Sequence, residues 1–280
     1  MTMPQKRLRG RPRLTRSTTD AGGVQTLDRA VTLLRHLAGA NGLSLTEAAA
    51  ACGLPPSTAY RMLTSLQHHG IVAFDEADQL WSIGAECFRI GAAFLRRRKL
   101  AEHGRQVMQA LVADSGETAN LAVADEDGVV FVSQVETHEP IRAFFRPGTR
   151  APFHASGVGK AILAYLPQQQ AAALLERLTL DRFTPNTVTD RMKLLRDLAR
   201  IRPRGWALDD EEGNPGMRCV AAPIFNEYGE PIAGLSLSGP SVRMTRETVA
   251  ALGPRVRDAA VAITRSIGGT PPADVRWSIV

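Results

Sequence analysis

The sequence predicts an α+β chain of two domains, a small helix-rich one followed by a larger one organised on an antiparallel sheet. Three observations predict it. Apolar residues recur at helical spacing up to about position 69, two short β-rich runs around a polar turn follow, and beyond position 120 strand and helix signals alternate. A chain of 280 residues with 44% hydrophobic content holds enough apolar material for two ordinary cores.

Residues 1–22 read as a disordered basic arm, because they offer many like charges and little to bury. The 34 Lys and Arg against 28 Asp and Glu give a net charge of +6. Most of that excess sits on the arm, where Lys6, Arg7, Arg9, Arg11, Arg13 and Arg16 face Asp20 alone. Within it, Arg9-Gly10-Arg11-Pro12 matches the core of an AT-hook, whose arginines enter the narrow minor groove of A·T-rich DNA. A solubilising tail that merely touches phosphates fits the same residues equally well.

Residues 23–83 read as a winged helix-turn-helix. Val24, Leu27, Val31, Leu34 and Leu37 form a stripe at spacings of three and four, expected to be the buried face of a first helix that ends at Asn41-Gly42. Ser44 with Glu47 three positions on forms a capping box, in which side chain and backbone satisfy each other's free donors, so a short second helix starts there. Cys52-Gly53-Leu54 makes a turn, and Pro55-Pro56 leads into a third helix over 57–69, Pro being tolerated where an N–H would be unpaired anyway. Ile71–Phe74 and Leu80–Ile83 then pair as a hairpin, the wing.

In a helix-turn-helix the second helix of the pair presents its N-terminal residues to base edges in the major groove. That assigns DNA contacts to Ser57, Thr58, Tyr60, Arg61 and Thr64, with Ala59, Met62 and Leu63 packed inward. Ordinary solvated helix residues would show the same pattern, but the preceding helix, the turn, the wing and the basic arm together favour DNA.

Residues 84–114 read as one linker helix, with the cluster Arg96-Arg97-Arg98-Lys99 inside it. Beyond it, residues 120–124 and 129–135 read as a hairpin. Helices are expected over 156–165, 168–178 and 190–201, strands over 206–210, 219–225 and 232–238, a closing helix over 245–267, and a tail over 271–280.

Two constellations in this half could carry chemistry. Phe153-His154-Ala155-Ser156-Gly157-Val158-Gly159-Lys160 opens a helix, and a Gly-rich helix start offers free N–H groups and a positive dipole end to a carboxylate or phosphate. It is no nucleotide-hydrolysing loop, since His154 stands where the first glycine belongs and Ala161 where a magnesium-binding hydroxyl belongs. Tight packing is the glycines' other explanation. Ser236 and Ser238, two apart on one strand, share a face, and with Cys219 and Asp209 on neighbouring strands they could line a small polar pocket or serve as structural groups.

Several classes are excluded. No apolar run is long enough to span a bilayer or to serve as a secretory signal, so a cytoplasmic protein is expected. Cys52, Cys87 and Cys219 are odd in number and widely spaced, which argues for free thiols and against a disulfide framework or a zinc site. No metal or cofactor is expected.

The chain resembles the IclR family of bacterial transcription regulators from about residue 24 to 267. The resemblance rests on Leu27-Asp28-Arg29-Ala30, Pro56–Leu63, His154–Ala161, Cys219–Ile224 and Gly234–Pro240. It implies a GAF-like antiparallel sheet flanked by helices over 115–270, a homodimer through the DNA-binding half, commonly a tetramer, and a palindromic operator. Glyoxylate- or pyruvate-sensing members look similar at the positions that surround their ligand, here Gly157, Val158, Asp209, Cys219, Ser236 and Ser238. The resemblance therefore implies a small 2-oxo acid effector, glyoxylate foremost. An aromatic-acid effector, as in another branch of the family, is the alternative, and a larger pocket would favour it. A thiol enzyme using Cys219 with His154 as base is the reading from a different class. It needs an accessible, activated thiol.

Overall fold

The computed structural model describes residues 24–98, 100–272 and 277. The chain forms two compact units that part between Ala93 and Phe94. The arm, with Arg9 and Arg11, and most of the tail lie outside the described residues.

The first unit contains α1 (Gln25–Ala38), α2 (Leu45–Ala51), α3 (Pro56–His68), β1 (Val72–Asp75) and β2 (Leu80–Ile83). The capping box of α2 is formed: Glu47 N donates to Ser44 Oγ at 3.3 Å and Ser44 N to Glu47 Oε2 at 2.8 Å. β1 and β2 pair antiparallel around the polar turn, and Leu43 adds a bridge to Trp81 that ties the α1–α2 connection to the wing. Leu33, Leu37, Ala48, Leu63, Val72 and Trp81 close the core.

The face that α1 buries differs from the expected stripe. Leu33 and Leu37 are buried, whereas Val24, Leu27 and Val31 are 66%, 61% and 40% exposed. Both sets are helically spaced, so periodicity alone could not say which one faces this unit's own core.

The linker stretch is described as α4 over Ala85–Arg98 and α5 over Leu100–Ser115, and Lys99 between them lies outside the described residues. The second unit is a six-stranded antiparallel sheet in the order β5-β4-β3-β8-β7-β6. Its strands are β3 (Thr118–Ala124), β4 (Gly128–Val135), β5 (Arg150–Pro152), β6 (Ala207–Asp210), β7 (Met217–Phe225) and β8 (Pro231–Pro240). The three-residue edge strand β5 has no signature in the sequence, since pairing with Gly128–Val130 and not propensity makes it a strand. α6 (Gly157–Leu163), α7 (Gln168–Arg177) and α8 (Arg191–Arg204) follow β5, and α9 (Arg246–Ser266) follows β8.

The period-two alternation of the strands sorts residues into two cores. On one side Ala119, Leu121, Val220, Ala222, Leu235 and Leu237 pack with Met108 and Leu111 of α5 and Val256, Ala260 and Ile263 of α9. On the other, Phe131, Ala221 and Phe225 pack with Val158, Ala161 and Ile162 of α6 and Leu194 and Leu198 of α8. The buried polar residues of β3 and β8, Thr118, Asn120, Ser236 and Ser238, lie on this second face. Among the described residues no helix is long and apolar enough to cross a membrane.

Candidate functional site

On α3 the buried residues are Ala59 and Leu63, which leaves Ser57, Tyr60, Arg61 and Thr64 exposed and Thr58 half-buried. The N-terminal turns of α3 thus present a hydroxyl- and guanidinium-rich face, the chemistry that reaches base edges and phosphates. Tyr60 is not a free tip, because its ring meets the edge of Trp81 at 6.5 Å and so ties the helix to the wing. Thr58 and Arg61, with Thr26 and Arg29 of α1, line a shallow groove between the two helices.

In the second unit, strand register aligns a polar row. Asp209 on β6 stands beside Cys219 on β7, Cys219 beside Ser238 on β8, and Ser238 beside Thr118 on β3. The next row holds Ala207, Ala221, Ser236, Asn120 and Gln134. α6 lies against these rows at its start. A Cβ on Gly157 would come within 2.9 Å of Cys219 Sγ and 3.2 Å of Ala221 Cβ, so only glycine permits the approach. Ser156 caps the helix, its Oγ accepting from Gly159 N at 3.1 Å. The N–H groups of Gly157 and Val158, first and second in the helix, have no carbonyl one turn back to bond.

Between the start of α6 and the sheet lies a cavity of about 370 Å³. Gly157, Val158, Asp209, Cys219 and Ser238 line it. Ser236 does not; it lies one row further along β8, fully buried, and its hydroxyl finds no oxygen or nitrogen partner. Sequence reasoning missed the remaining wall, which includes Phe131, Phe144, Phe145 and Phe183, with Arg150 and Asn214. Phe131 and Phe145 stack at 4.6 Å, while Phe144 and Phe183 are about half exposed. Phe144 and Phe183 come from loops without periodic pattern, and Phe131 reads in sequence as one more core residue of its strand.

Electrostatics divide the floor. Burial, reinforced by the charge of Glu212, raises the Asp209 carboxyl to about 7, against the backbone N–H bonds from Glu212 and Gly213 and the charge of Lys160. Its Oδ1 accepts from Glu212 N at 2.8 Å. The Cys219 thiol is pushed up to about 12, by burial first and by Asp209 second. A thiol held so far above neutrality is a small protonated wall and not a nucleophile. The other ring partner a thiol enzyme would need, His154, has Nε2 only 2.9 Å from the Asp181 carbonyl oxygen. The three cysteines are free, and among the described residues no cluster of His, Cys, Asp and Glu could hold a metal ion.

Behind the floor sits Lys160, fully buried on α6, with Nζ donating to Glu212 Oε1 at 2.6 Å and Asp197 Oδ2 at 2.9 Å. Burial works to lower its pKa, but the two carboxylates outweigh that and leave it raised, so the ammonium stays charged. Thr187 Oγ1 donates to the Glu212 carbonyl at 2.7 Å and Thr184 Oγ1 to that of Glu211 at 2.7 Å, which fixes the turn that follows Asp209 and carries Glu212. A lysine one turn into an otherwise apolar, buried helix was the available sign of this ion cluster.

Comparison with known proteins agrees with both units. The model of the IclR helix-turn-helix domain matches residues 26–76, and that of the bacterial transcriptional regulator IclR C-terminal domain matches residues 92–265. The chain is 46% identical over 273 residues to the HTH-type transcriptional regulator BhcR of Paracoccus denitrificans, covering 96% of this chain and 97% of that one. It is 39% identical over 272 residues to the transcriptional repressor IclR of Escherichia coli, covering 96% and 99%. Among solved structures, an IclR homologue from Microbacterium hydrocarbonoxydans complexed with 4-hydroxybenzoate superposes with a TM-score of 0.74 at 27% identity, covering 87% of this chain and 99% of that one. These relatives are regulators and not enzymes, and the chain belongs to the IclR family of DNA-binding bacterial transcription regulators.

Proposed function

We propose that this regulator senses a small 2-oxo acid, glyoxylate foremost, and that the acid shifts its affinity for a palindromic operator. The observation that carries the reading is the polar row Asp209–Cys219–Ser238, which faces the free N–H groups of Gly157 and Val158 across one cavity. The effector carboxylate sits on those two N–H groups and the Ser238 hydroxyl, each charge-assisted bond contributing about 1.5–3 kcal/mol. Asp209 is protonated beside that anion or accepts from a hydroxyl of the hydrated aldehyde. Cys219 limits the space at the floor.

DNA binding uses Ser57, Thr58, Tyr60, Arg61 and Thr64, with Arg9 and Arg11 of the arm adding minor-groove and phosphate contacts. The exposed stripe Val24, Leu27 and Val31 supports a homodimer through the DNA-binding half, because three apolar residues on one helix face cost free energy in water. The dimer is tested by sedimentation of Leu27→Asp, which should shift the chain toward monomer; an unchanged mass rejects that face.

The cavity volume favours a second reading. About 370 Å³ with four phenylalanines in its wall is more than a two-carbon acid fills, and an aromatic acid would place its carboxylate at the same floor and its ring among the phenylalanines. Calorimetry on the full chain with glyoxylate, pyruvate and 4-hydroxybenzoate, together with operator binding in the presence of each, separates the two. Heat and an altered operator affinity with glyoxylate support the first reading. Binding of the aromatic acid alone replaces it.

A further inference from the structure

The second polar row, beside the floor of the cavity, carries a directional chain of hydrogen bonds. Gln134 Nε2 on β4 donates to Asn120 Oδ1 on β3 at 2.8 Å, and Asn120 Nδ2 donates to Ser238 Oγ on β8 at 3.3 Å. Asn120 is fully buried and Ser238 is 1% exposed, so the bond between them is shielded from bulk water. Asn120 does not line the cavity, and Gln134 is a strand further away.

A serine hydroxyl has one hydrogen and can both donate and accept. When its oxygen accepts from an amide N–H, the hydrogen is free to go elsewhere. Within the structure it can go to the thiol of Cys219, which is neutral and a weak acceptor; an anionic oxygen of a bound acid would be a far stronger one. An amide is two-faced, and a buried asparagine turned by half a revolution would offer Ser238 an acceptor in place of a donor. In the structure Gln134 occupies Asn120 Oδ1, the arrangement that leaves Asn120 Nδ2 facing Ser238.

We propose that Asn120 and Gln134 are positioning residues of the effector site: the Gln134→Asn120→Ser238 chain of donors commits the Ser238 hydroxyl hydrogen to an oxygen of the bound acid. The inference rests on the reading that the cavity holds a carboxylate. It assigns the two residues a role in affinity without any contact to the effector. Their effect passes entirely through Ser238.

The test is calorimetry on the full-length chain with glyoxylate, pyruvate and 4-hydroxybenzoate, comparing wild type with Asn120→Asp, Gln134→Glu and Ser238→Ala and with the two double variants that carry Ser238→Ala. Asn120→Asp replaces a donor by an acceptor of nearly the same shape, so Ser238 turns its hydrogen toward the new carboxylate. Binding should weaken roughly ten- to a hundredfold, the range of one charge-assisted bond. Gln134→Glu makes the outer residue an acceptor, inverts the Asn120 amide, and should act in the same direction. On the Ser238→Ala background both substitutions should cost less than on wild type, leaving only the repulsion between the new carboxylate and the bound anion, whereas a merely structural role would add its full loss. Gln134→Glu sits on a half-buried strand position and keeps the proposal testable if the buried Asn120→Asp impairs folding, which operator binding without ligand reports.

Wild type that binds 4-hydroxybenzoate and not glyoxylate overturns the oxo-acid reading, and the chain of donors is then judged with the aromatic acid. Wild-type binding that neither substitution weakens, or losses that add fully to that of Ser238→Ala, overturn the positioning role. A wild-type chain that binds none of the three acids overturns both.

Discussion

Replacing Asp209 by Asn should separate effector binding from pH. In the free protein the Asp209 carboxyl, raised to about 7 mainly by burial, is mostly protonated at pH 6 and mostly ionised at pH 8. An anionic effector beside it binds the protonated form, because two unpaired negative charges on one buried floor repel and Lys160 already serves Glu212 and Asp197. The protonated fraction falls by about tenfold between those two pH values, so the dissociation constant for glyoxylate should rise about tenfold, or about 1.4 kcal/mol. A carboxamide cannot ionise, and the affinity of the Asp209→Asn variant should be flat over the same interval. Stability without ligand follows the same carboxyl. Its pKa is raised in the folded state, so stability decreases as pH climbs from 3.8 toward about 7, and Asp209→Asn should lose that part of the slope. Calorimetry at both pH values, with an ionisation correction for the buffer, reads the proton taken up on binding. A wild-type affinity that is independent of pH would refute the reasoning, and one that rises with pH would show instead that an ionised Asp209 accepts from a hydroxyl of the hydrated aldehyde.

Arg61→Ala should weaken operator binding by about 1–3 kcal/mol if the guanidinium reads a base, measured by fluorescence anisotropy at fixed salt; unchanged affinity removes it from the contact set. Deleting residues 1–20 should flatten the dependence of log affinity on log salt by about 0.9 for each phosphate that the arm had neutralised, and identical slopes would show that Arg9 and Arg11 do not touch DNA. Ser236 does not line the cavity, so Ser236→Ala should weaken glyoxylate binding less than Ser238→Ala does; an equal loss would place the Ser236 hydroxyl on the effector.

Much of this architecture is local information. The α2 capping box, the turn at Gly53 and the alternation of Leu235, Leu237 with Ser236, Ser238 are all written within a few residues of where they act, and each is legible from the sequence. What was not legible depends on partners far along the chain. Val24, Leu27 and Val31 look like a core stripe until the unit's own core proves to be built on Leu33 and Leu37. The edge strand at Arg150–Pro152 exists only through β4. In the candidate site, the serines and Cys219 could be placed on one face by counting, but register alone brings Asp209 beside Cys219 and Asn120 beside Ser236. The phenylalanine wall and the Lys160 ion cluster draw on several separate segments, and no spacing rule connects them.

The strict alternation of β7 and β8 limits how a signal can leave this site. A slip of one residue along either strand would drive Cys219 and Ser238 into the α9 layer and expose Val220 and Leu237 to the cavity, so the strands cannot respond by sliding. They can only tilt. Val220, Ala222, Leu235 and Leu237 press directly on α9, and α9 packs on α5, the helix that follows the boundary between the two units. The sheet therefore behaves as a stiff diaphragm between a wet chamber and a dry one. A bound effector that pulled on the wet face would press the sheet on α9 and α5 as a unit and not one side chain at a time.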